Sequence, residues 1–206
     1  MKLYYAPGAC SLATRISLHE AGIAAEFERV DVHSKITESG QDYAAINPKG
    51  SVPMLVLDDG NAVTENVAIL DLLAGHEPKL GLEGPLGRTR MIEMLSFLST
   101  ELHIAFKPFF HSATDLEKAN ASETASRWLG LLTDQMRGDY LFGPQFTVAD
   151  AYLFAMLRWA NTFDVRMQSQ MFEYFERVAS RPAVRQSLVE EGLSVPTARH
   201  AEAAAS

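Results

Sequence analysis

The stretch MKLYYAPGACSLATRISLHEAG, residues 1–22, decides the fold. Lys2–Ala6 predicts a short strand, the Pro-Gly pair after it a turn, and Ser11–Ala21 an amphipathic helix closed by a glycine. Cys10 stands at the start of that helix, where free N–H groups and the positive end of the helix dipole favour a thiolate. A strand, a turn and a helix-opening cysteine are the parts of a thioredoxin-like thiol site. Taken alone, Cys10 fits equally well as a small side chain that fills the corner between strand and helix.

The cysteine count indicates the redox environment of the protein, and the net charge excludes some classes of binding partner. Cys10 is the only cysteine among 206 residues, which fits a reducing, cytoplasmic environment. Ala13 takes the place of a second thiol in a Cys-x-x-Cys pair, so redox chemistry would need a thiol from another molecule. A net charge of −8 without a Lys/Arg cluster makes nucleic acid a poor partner. We expect no membrane partner either, because the apolar stretches are too short for a span and the N-terminus lacks a signal-peptide pattern.

The first part of the chain alternates strands and helices. Glu26–Val32 predicts a second strand, and the polar stretch Ser34–Gln41 predicts a loop. Met54–Leu57 and Ala62–Thr64 flank an Asp-Asp-Gly-Asn turn, which predicts a β-hairpin. Val67–Ala74 predicts the next helix. This order predicts a four-stranded mixed sheet with helices packed on it.

The pattern becomes helical beyond the linker that the Pro- and Gly-rich residues 78–87 predict. An apolar seam from Met91 to Phe109 predicts one long helix, which Pro108 kinks or ends. Val148–Ala160 is apolar on nearly every side, which is typical of the central helix of a bundle. We therefore expect an α/β domain over residues 1–77, an all-helical domain over 88–196, and a disordered tail over 197–206.

Three places in the first domain carry candidate binding residues. At Val52-Pro53 the spacing alone favours a trans, edge-strand proline, whereas a cis bond would turn the Val52 backbone toward an extended peptide. Glu65 and Asn66 stand between a strand and a helix, and they suit either the two charged ends of an amino acid or plain capping by Asn66. Lys35 either meets a carboxylate or is solvated surface.

A polar stripe on the long helix supplies the other candidates. Ser96, Thr100 and His103 recur at helical spacing, so they either line a cleft or form a solvated face. His103 has the chemistry of a base or of a hydrogen-bond donor to sulfur. The sequence contains no Gly-rich phosphate loop, metal-ligand cluster or nucleophile elbow, so we expect no cofactor.

The chain resembles the bacterial beta-class glutathione S-transferases over about residues 1–193. The resemblance implies a thioredoxin-like domain that binds glutathione, an all-helical domain, an electrophile site in the cleft between them, and a homodimer. It also implies that Thr147 and Asp150 form a capping box that serves folding. The segments that carry it are, in order, MKLYYAPGACSLATRISLHEAG, NPKGSVPMLVLDDG, TENVAILDLLA, STELHIAFKPFF, FTVADAYLFAMLRWA and RPAVRQSLVEEGL.

The resemblance also implies residue roles. Cys10 would face the glutathione sulfur with His103 close by, and Pro53 would be cis, so that the backbone of Val52 pairs with the cysteinyl part. The remaining glutathione contacts that it implies are Lys35 for the glycyl carboxylate, Glu65 and Asn66 for the γ-glutamyl end, and Thr100 and Glu101 from the helical domain, with Glu101 reaching the glutathione of the neighbouring subunit.

Three positions depart from the family pattern. Asn66 replaces a frequent glycine or serine, Ile104 replaces a lysine, and Ser96 replaces an asparagine. Lys107, one turn beyond Ile104, restores part of the missing positive charge. The candidates for the electrophile site are Phe106, Lys107, Phe110 and Trp159, and for most of the aromatic ones a place in the bundle core is the favoured interpretation.

The residues and the resemblance support three functions. The first is conjugation of glutathione to small apolar electrophiles, with the thiolate stabilised near Cys10 and His103. The second is glutathione-dependent thiol–disulfide exchange or reductive dehalogenation, in which Cys10 is the nucleophile and forms a mixed disulfide. The third is a non-catalytic glutathione-binding protein. Cys10→Ala separates the first two, because only the second needs the sulfur of Cys10.

Overall fold

A mixed sheet forms the first half of the computed structural model, which describes residues 1–195. The central strand β1 (Lys2–Tyr5) pairs in parallel with β2 (Glu26–Asp31) and antiparallel with β4 (Met54–Val56). The strand β5 (Ala62–Thr64) pairs antiparallel with β4 and completes the predicted hairpin. The expected disorder of residues 197–206 lies outside the described residues.

A fifth strand corrects the four-stranded prediction. The strand β3 (Ile36–Thr37) pairs antiparallel with Val30 and Asp31 at the end of β2, which gives the order β3-β2-β1-β4-β5. The reversal between β2 and β3 is tight, with Lys35 at a φ of 58° and its N–H donating to the Asp31 carbonyl at 2.8 Å. A strand of two residues is too short to show alternation in the sequence, so this segment looks like a polar loop.

The sheet carries helices on both faces because its side chains alternate in direction. The helices α1 (Ser11–Ala21) and α3 (Asn66–His76) cover one face, with Leu3 and Leu55 buried beneath them. The short helix α2 (Tyr43–Ile46) covers the other face, where Tyr43 packs with residues of the sheet in a separate buried cluster. The N-terminal end of α1, which begins after Cys10, is thereby fixed against the end of β1.

The second half is helical. The predicted long helix runs without a gap to Ala105 but contains a wider π-helical stretch at Leu98–Leu102, and it ends in tight turns around Pro108, which has no N–H for a regular helix, as predicted. The elements are a 3₁₀ turn (Pro78–Leu80), α4 (Gly87–Phe97), the π-helical stretch (Leu98–Leu102), α5 (His103–Ala105), α6 (Lys107–Phe110), α7 (Asp115–Gln135), α8 (Val148–Thr162), α9 (Ser169–Ala179) and α10 (Pro182–Glu190).

The central helix α8 joins the two halves. Its side chains are buried on nearly all sides, as predicted, and it packs against α1 of the first half. Thr147 and Asp150 form the expected capping box at its start, with Thr147 N and Oγ1 donating to Asp150 Oδ2 at 2.8 and 2.7 Å. None of the helices within residues 1–195 combines the length and the apolar character that crossing a bilayer requires.

Candidate functional site

The loop between β1 and α1 is held from both sides by the helical half. Gly8 adopts a φ of 70°, which favours glycine, and its N–H donates to Glu191 Oε2 at 2.8 Å. Its carbonyl accepts a hydrogen bond of 2.8 Å from Trp159 Nε1. Ser11 Oγ also bonds back to the Ala6 backbone. These contacts fix the position of Cys10 at the start of α1.

The thiol of Cys10 lies 3.7 Å from the Val52 carbonyl oxygen and is partly buried. Burial raises its pKa to about 12, although the backbone N–H groups of Cys10 and Ser11 act in the opposite direction. The expectation that the helix start would favour a thiolate is therefore wrong for the free chain. The loss of hydration at this site outweighs the helix N-terminus, so Cys10 is a neutral thiol at pH 7.

The Val52–Pro53 peptide bond beside Cys10 is cis, as the resemblance implied and against the trans bond that spacing alone favoured. Neither backbone group of Val52 has a backbone partner within the described chain. Lys35 reaches the same segment, because its Nζ donates to the Gly50 carbonyl at 2.7 Å. The segment before β4 therefore offers the backbone N–H and carbonyl of Val52 to an extended peptide, with the Cys10 thiol already beside that carbonyl and Lys35 near it.

Glu65 and Asn66 have separate roles in the structure. Glu65 is exposed at a φ of 70°, and its Oε1 pairs with Lys49 Nζ at 2.6 Å. The prediction of Asn66 as an N-cap was wrong, since α3 begins at Asn66 itself. The Asn66 side chain is turned inward, where its Oδ1 accepts from Thr14 Oγ1 at 2.9 Å, so it is not available to cap the helix.

His103 faces the core. Its Nδ1 lies 2.9 Å from the Tyr152 hydroxyl, and its ring meets Trp159 edge to face with centroids 4.9 Å apart. Burial, and secondarily the charge of Lys107, lower the pKa of His103 to about 4, so the imidazole is neutral at pH 7.

Thr100 and Glu101 do not share the face of His103. Both are exposed, and Thr100 Oγ1 donates to the Ser96 carbonyl at 3.1 Å. The π-helical stretch before His103 changes the residue-to-face relation that a regular helix would keep. Of the predicted polar stripe, His103 is therefore turned inward, Thr100 is turned outward, and Ser96 is half-buried.

The aromatic candidates form one cluster around Trp159. Phe110 is 47% exposed and packs on Trp159 with ring centroids 5.1 Å apart, while Lys107 beside it is exposed. Phe106 is fully buried between Phe109 and Trp159, so its prediction as an electrophile contact was wrong. The rings of Phe106 and the buried Trp159 support Phe110 from behind, and Phe110 is the exposed aromatic ring of the cluster.

Two site residues escaped the sequence reasoning. Tyr152 brings a hydroxyl to His103 from α8, and Glu191 brings a carboxylate to Gly8 from the end of α10. A hydroxyl inside the segment AYLFAM, which is otherwise apolar, was a signal for the first. The signal for the second was weaker, because the adjacent Glu190 is chemically identical and lies 32% exposed. Residues 1–195 contain no group of His, Cys, Asp and Glu side chains placed to hold a metal ion.

Comparisons with known proteins agree with this geometry. Residues 8–76 match the family model described as glutathione S-transferase, N-terminal domain, and residues 97–182 match glutathione S-transferase, C-terminal domain. The chain is 40% identical to glutathione S-transferase GstA of Escherichia coli O157:H7 over 200 residues, which cover 94% of this chain and all of GstA.

Solved structures give the same result. A sphingomonad glutathione S-transferase complexed with glutathione is 42% identical, with a TM-score of 0.88 over 94% of this chain and all of that one. The bacterial beta-class glutathione S-transferase of Sphingomonas chungbukensis is 40% identical, with a TM-score of 0.86 and the same coverage.

Proposed function

Since the chain belongs to the glutathione S-transferase family, we propose that it conjugates reduced glutathione to small apolar electrophiles. One observation carries the proposal beyond family membership. The Cys10 thiol contacts the Val52 carbonyl, and Trp159 links the loop before Cys10 to His103, because its Nε1 donates to Gly8 while its ring packs on the imidazole. That arrangement supports a site in which a backbone segment pairs with a peptide and polar hydrogens of Cys10 and His103 meet its sulfur.

Glutathione lies extended beside the Val52–Pro53 segment that precedes β4 in this proposal. Its cysteinyl backbone pairs with Val52 beside Pro53, and its glycyl carboxylate meets Lys35. Glu65 takes the γ-glutamyl ammonium in place of Lys49, and the N-terminal end of α3 at Asn66 takes the γ-glutamyl carboxylate. Thr100 and Glu101 are exposed and available to glutathione from the helical side, with Glu101 directed at the site of a neighbouring subunit.

The chemistry requires a thiolate of glutathione near neutral pH. The glutathione thiol loses its proton to water, and hydrogen bonds from the Cys10 thiol and the His103 imidazole stabilise the sulfur anion. The anion then forms a bond to the electrophilic carbon, whose leaving group departs with its electron pair. Phe110 offers an apolar surface for that electrophile, backed by the mostly buried ring of Trp159 and with Lys107 beside it.

The test is a pH titration of the bound glutathione thiol, in which the absorbance of the thiolate reports its ionisation. We expect the thiol pKa to fall from about 8.5 by about two units on binding. We also expect turnover of a chloronitrobenzene. An unshifted thiol pKa together with no turnover of any electrophile would leave the non-catalytic glutathione-binding protein as the better account.

Cys10→Ala decides between conjugation and the thiol–disulfide alternative. Conjugation should survive, because Cys10 supplies only a hydrogen bond, whereas exchange or dehalogenation through a mixed disulfide would be abolished. The raised pKa of Cys10 supports conjugation, since a protonated thiol is a poor nucleophile. Loss of all conjugation in Cys10→Ala would favour the alternative.

The finer assignments belong to the same proposal. We assign the protein to the beta class on the segments quoted above, with detoxification in the cytoplasm, a homodimer and no cofactor besides the cosubstrate glutathione. We keep the domain boundaries at 1–77 and 88–196, with the linker at 78–87. Sedimentation of the purified chain tests the dimer, and limited proteolysis within 78–87 tests the linker.

A further inference from the structure

A buried hydroxyl lies behind His103. Tyr152 is 1% exposed on the apolar helix α8, and its oxygen lies 2.9 Å from His103 Nδ1. The two rings meet edge to face with centroids 6.1 Å apart, so the imidazole has a fixed orientation against the phenol. A hydroxyl in such surroundings needs a hydrogen-bond partner, and His103 is the one it contacts at good distance.

The direction of this hydrogen bond follows from the neighbours of Tyr152. The side chains of Ser99 and Asn66 stand near the hydroxyl and lower its pKa in part, as groups that donate to the phenol oxygen do, while burial raises that pKa overall. Asn66 Oδ1 already accepts a hydrogen bond from Thr14. The amide N–H groups of Asn66 therefore lie on the side of Tyr152, and Nδ2 makes no hydrogen bond of regular geometry within the described chain. His103 Nδ1 lies within hydrogen-bond distance of the phenol, at 2.9 Å, so the Tyr152 hydrogen is directed to it.

A neutral imidazole carries one N–H, and the partner of one ring nitrogen decides which nitrogen keeps it. When Nδ1 accepts from Tyr152, the proton resides on Nε2. We propose that Tyr152 is a positioning residue that holds His103 in the Nε2–H tautomer, so that the imidazole presents a hydrogen-bond donor to the glutathione sulfur. The inference rests on the proposed function, because the sulfur belongs to the glutathione that the function requires.

The tautomer can be measured on the unmodified protein without substrate. The nitrogen-15 chemical shifts of imidazole distinguish protonated from bare ring nitrogens, and His103→Gln identifies the His103 signals by their loss. We expect a protonated Nε2 and a bare, hydrogen-bonded Nδ1 at neutral pH. A protonated Nδ1 would overturn the inference whether or not the protein binds glutathione.

Tyr152→Phe removes the hydroxyl and keeps the ring. We expect the Nε2–H tautomer to lose its dominance, and the thiol pKa of bound glutathione to rise by about one unit, which is a tenfold change in the ionisation equilibrium. The kcat/KM should fall about threefold at pH 7 and about tenfold at pH 5.5, with the KM for glutathione unchanged, since the lost contact acts on the thiolate. An unchanged tautomer and an unchanged thiol pKa would refute the positioning role.

Tyr174→Phe is the matched control for loss of a buried phenol hydroxyl. Tyr174 is fully buried in the same bundle, and its hydroxyl donates to Asp150 Oδ1 at 2.8 Å, far from the sulfur site in the hydrogen-bond network. We expect this variant to lose stability and to keep the thiol pKa of bound glutathione. A pKa rise equal to that of Tyr152→Phe would assign the effect to general loosening of the bundle and would contradict the inference.

Two replacements of His103 give an independent comparison. Gln places its amide N–H near the position of Nε2, and Asn places its amide near Nδ1. His103→Gln should therefore keep more of the thiol pKa shift than His103→Asn, and adding Tyr152→Phe to His103→Gln should change that shift little. If the wild-type protein did not lower the pKa of the bound glutathione thiol, the proposed function would be wrong. The tautomer measurement would still decide the role of Tyr152.

Discussion

Burial dominates the chemistry of single residues in this site. Cys10 and His103 are both neutral at pH 7 for the same reason: each has lost hydration, which raises the pKa of the thiol to about 12 and lowers that of the imidazole to about 4. Neutral groups of this kind donate hydrogen bonds without competing for the proton of the substrate. The site is therefore built to stabilise an anion that arrives with the ligand.

Alkylation of Cys10 tests its protonation state directly, because it is the only thiol in the chain. Only the thiolate reacts, so the rate with iodoacetamide in the free protein should rise about tenfold per pH unit from pH 7 to pH 9. Free glutathione, measured in parallel, should level off above its pKa of about 8.5. A plateau for Cys10 below pH 9 would contradict the raised pKa.

At the scale of elements, two helices start with the same capping motif in different surroundings. Thr114 and Glu117 cap α7 at the surface, whereas Thr147 and Asp150 cap α8 inside the bundle. Asp150 also accepts from Leu141 N at 2.9 Å and from the Tyr174 hydroxyl, so one carboxylate satisfies donors from three segments. The second motif is therefore a tertiary junction as well as a helix cap.

The two caps should differ in their effect on stability. Asp150→Ala leaves several buried donors without partners and should lower the free energy of unfolding by about 3 kcal/mol or more. Glu117→Ala, at the equivalent position of the exposed cap, should cost less than about 1 kcal/mol. Urea unfolding of both variants measures the difference, and equal losses would show that the burial of Asp150 adds nothing.

Elements with local signals could be predicted from the sequence, and elements made by distant partners could not. The strand at Lys2–Tyr5, the Asp-Gly hairpin and the apolar α8 follow from alternation, turn chemistry and hydrophobicity. The strand at Ile36–Thr37 exists only through its pairing with β2, and the π-helical stretch only through packing in the bundle.

The same division holds within the site. Cys10 and Pro53 stand in recognisable local patterns, and the family resemblance added roles for His103 and Glu65. The inward turn of Asn66 depends on Thr14, a residue of another helix, so a rule for helix caps that uses neighbouring positions only predicts the wrong role.

At the scale of the whole molecule, a buried charge cluster joins the two halves. Arg15 of α1 is 2% exposed, and its guanidinium lies over the rings of Tyr5 and Phe27 and contacts Glu191 at 3.2 Å. Glu191 in turn holds Gly8, as described above, and Arg158 of α8 lies near enough to favour its ionised form. The active-site loop and the end of α10 thus share one carboxylate.

This cluster should make stability depend on pH. Burial raises the pKa of Glu191 from 4.5 to about 7, so the folded state binds its proton more tightly than the unfolded state does. This contribution to the free energy of unfolding is fully present below about pH 4.5 and is lost as the pH rises through 7. The free energy of unfolding should fall by up to about 3 kcal/mol over this range. Glu191→Gln should remove this slope, and the difference between variant and wild type in urea unfolding at pH 5 and pH 8 isolates the contribution of Glu191.

The core shared by α1 and α8 predicts that the two halves unfold together. Ile16 is fully buried and belongs to the same apolar cluster as the side chains of α8, whereas Leu73 belongs to a cluster confined to the sheet and its helices. Ile16→Ala should cost about 2–5 kcal/mol, and hydrogen exchange should then accelerate equally in β1 and α8, because loss of the shared core opens both. Leu73→Ala creates a comparable cavity away from α8, and it should likewise accelerate exchange in both halves if they unfold as one unit. If Ile16→Ala accelerated exchange in one half alone, α1 would belong to a first domain that unfolds independently of the bundle.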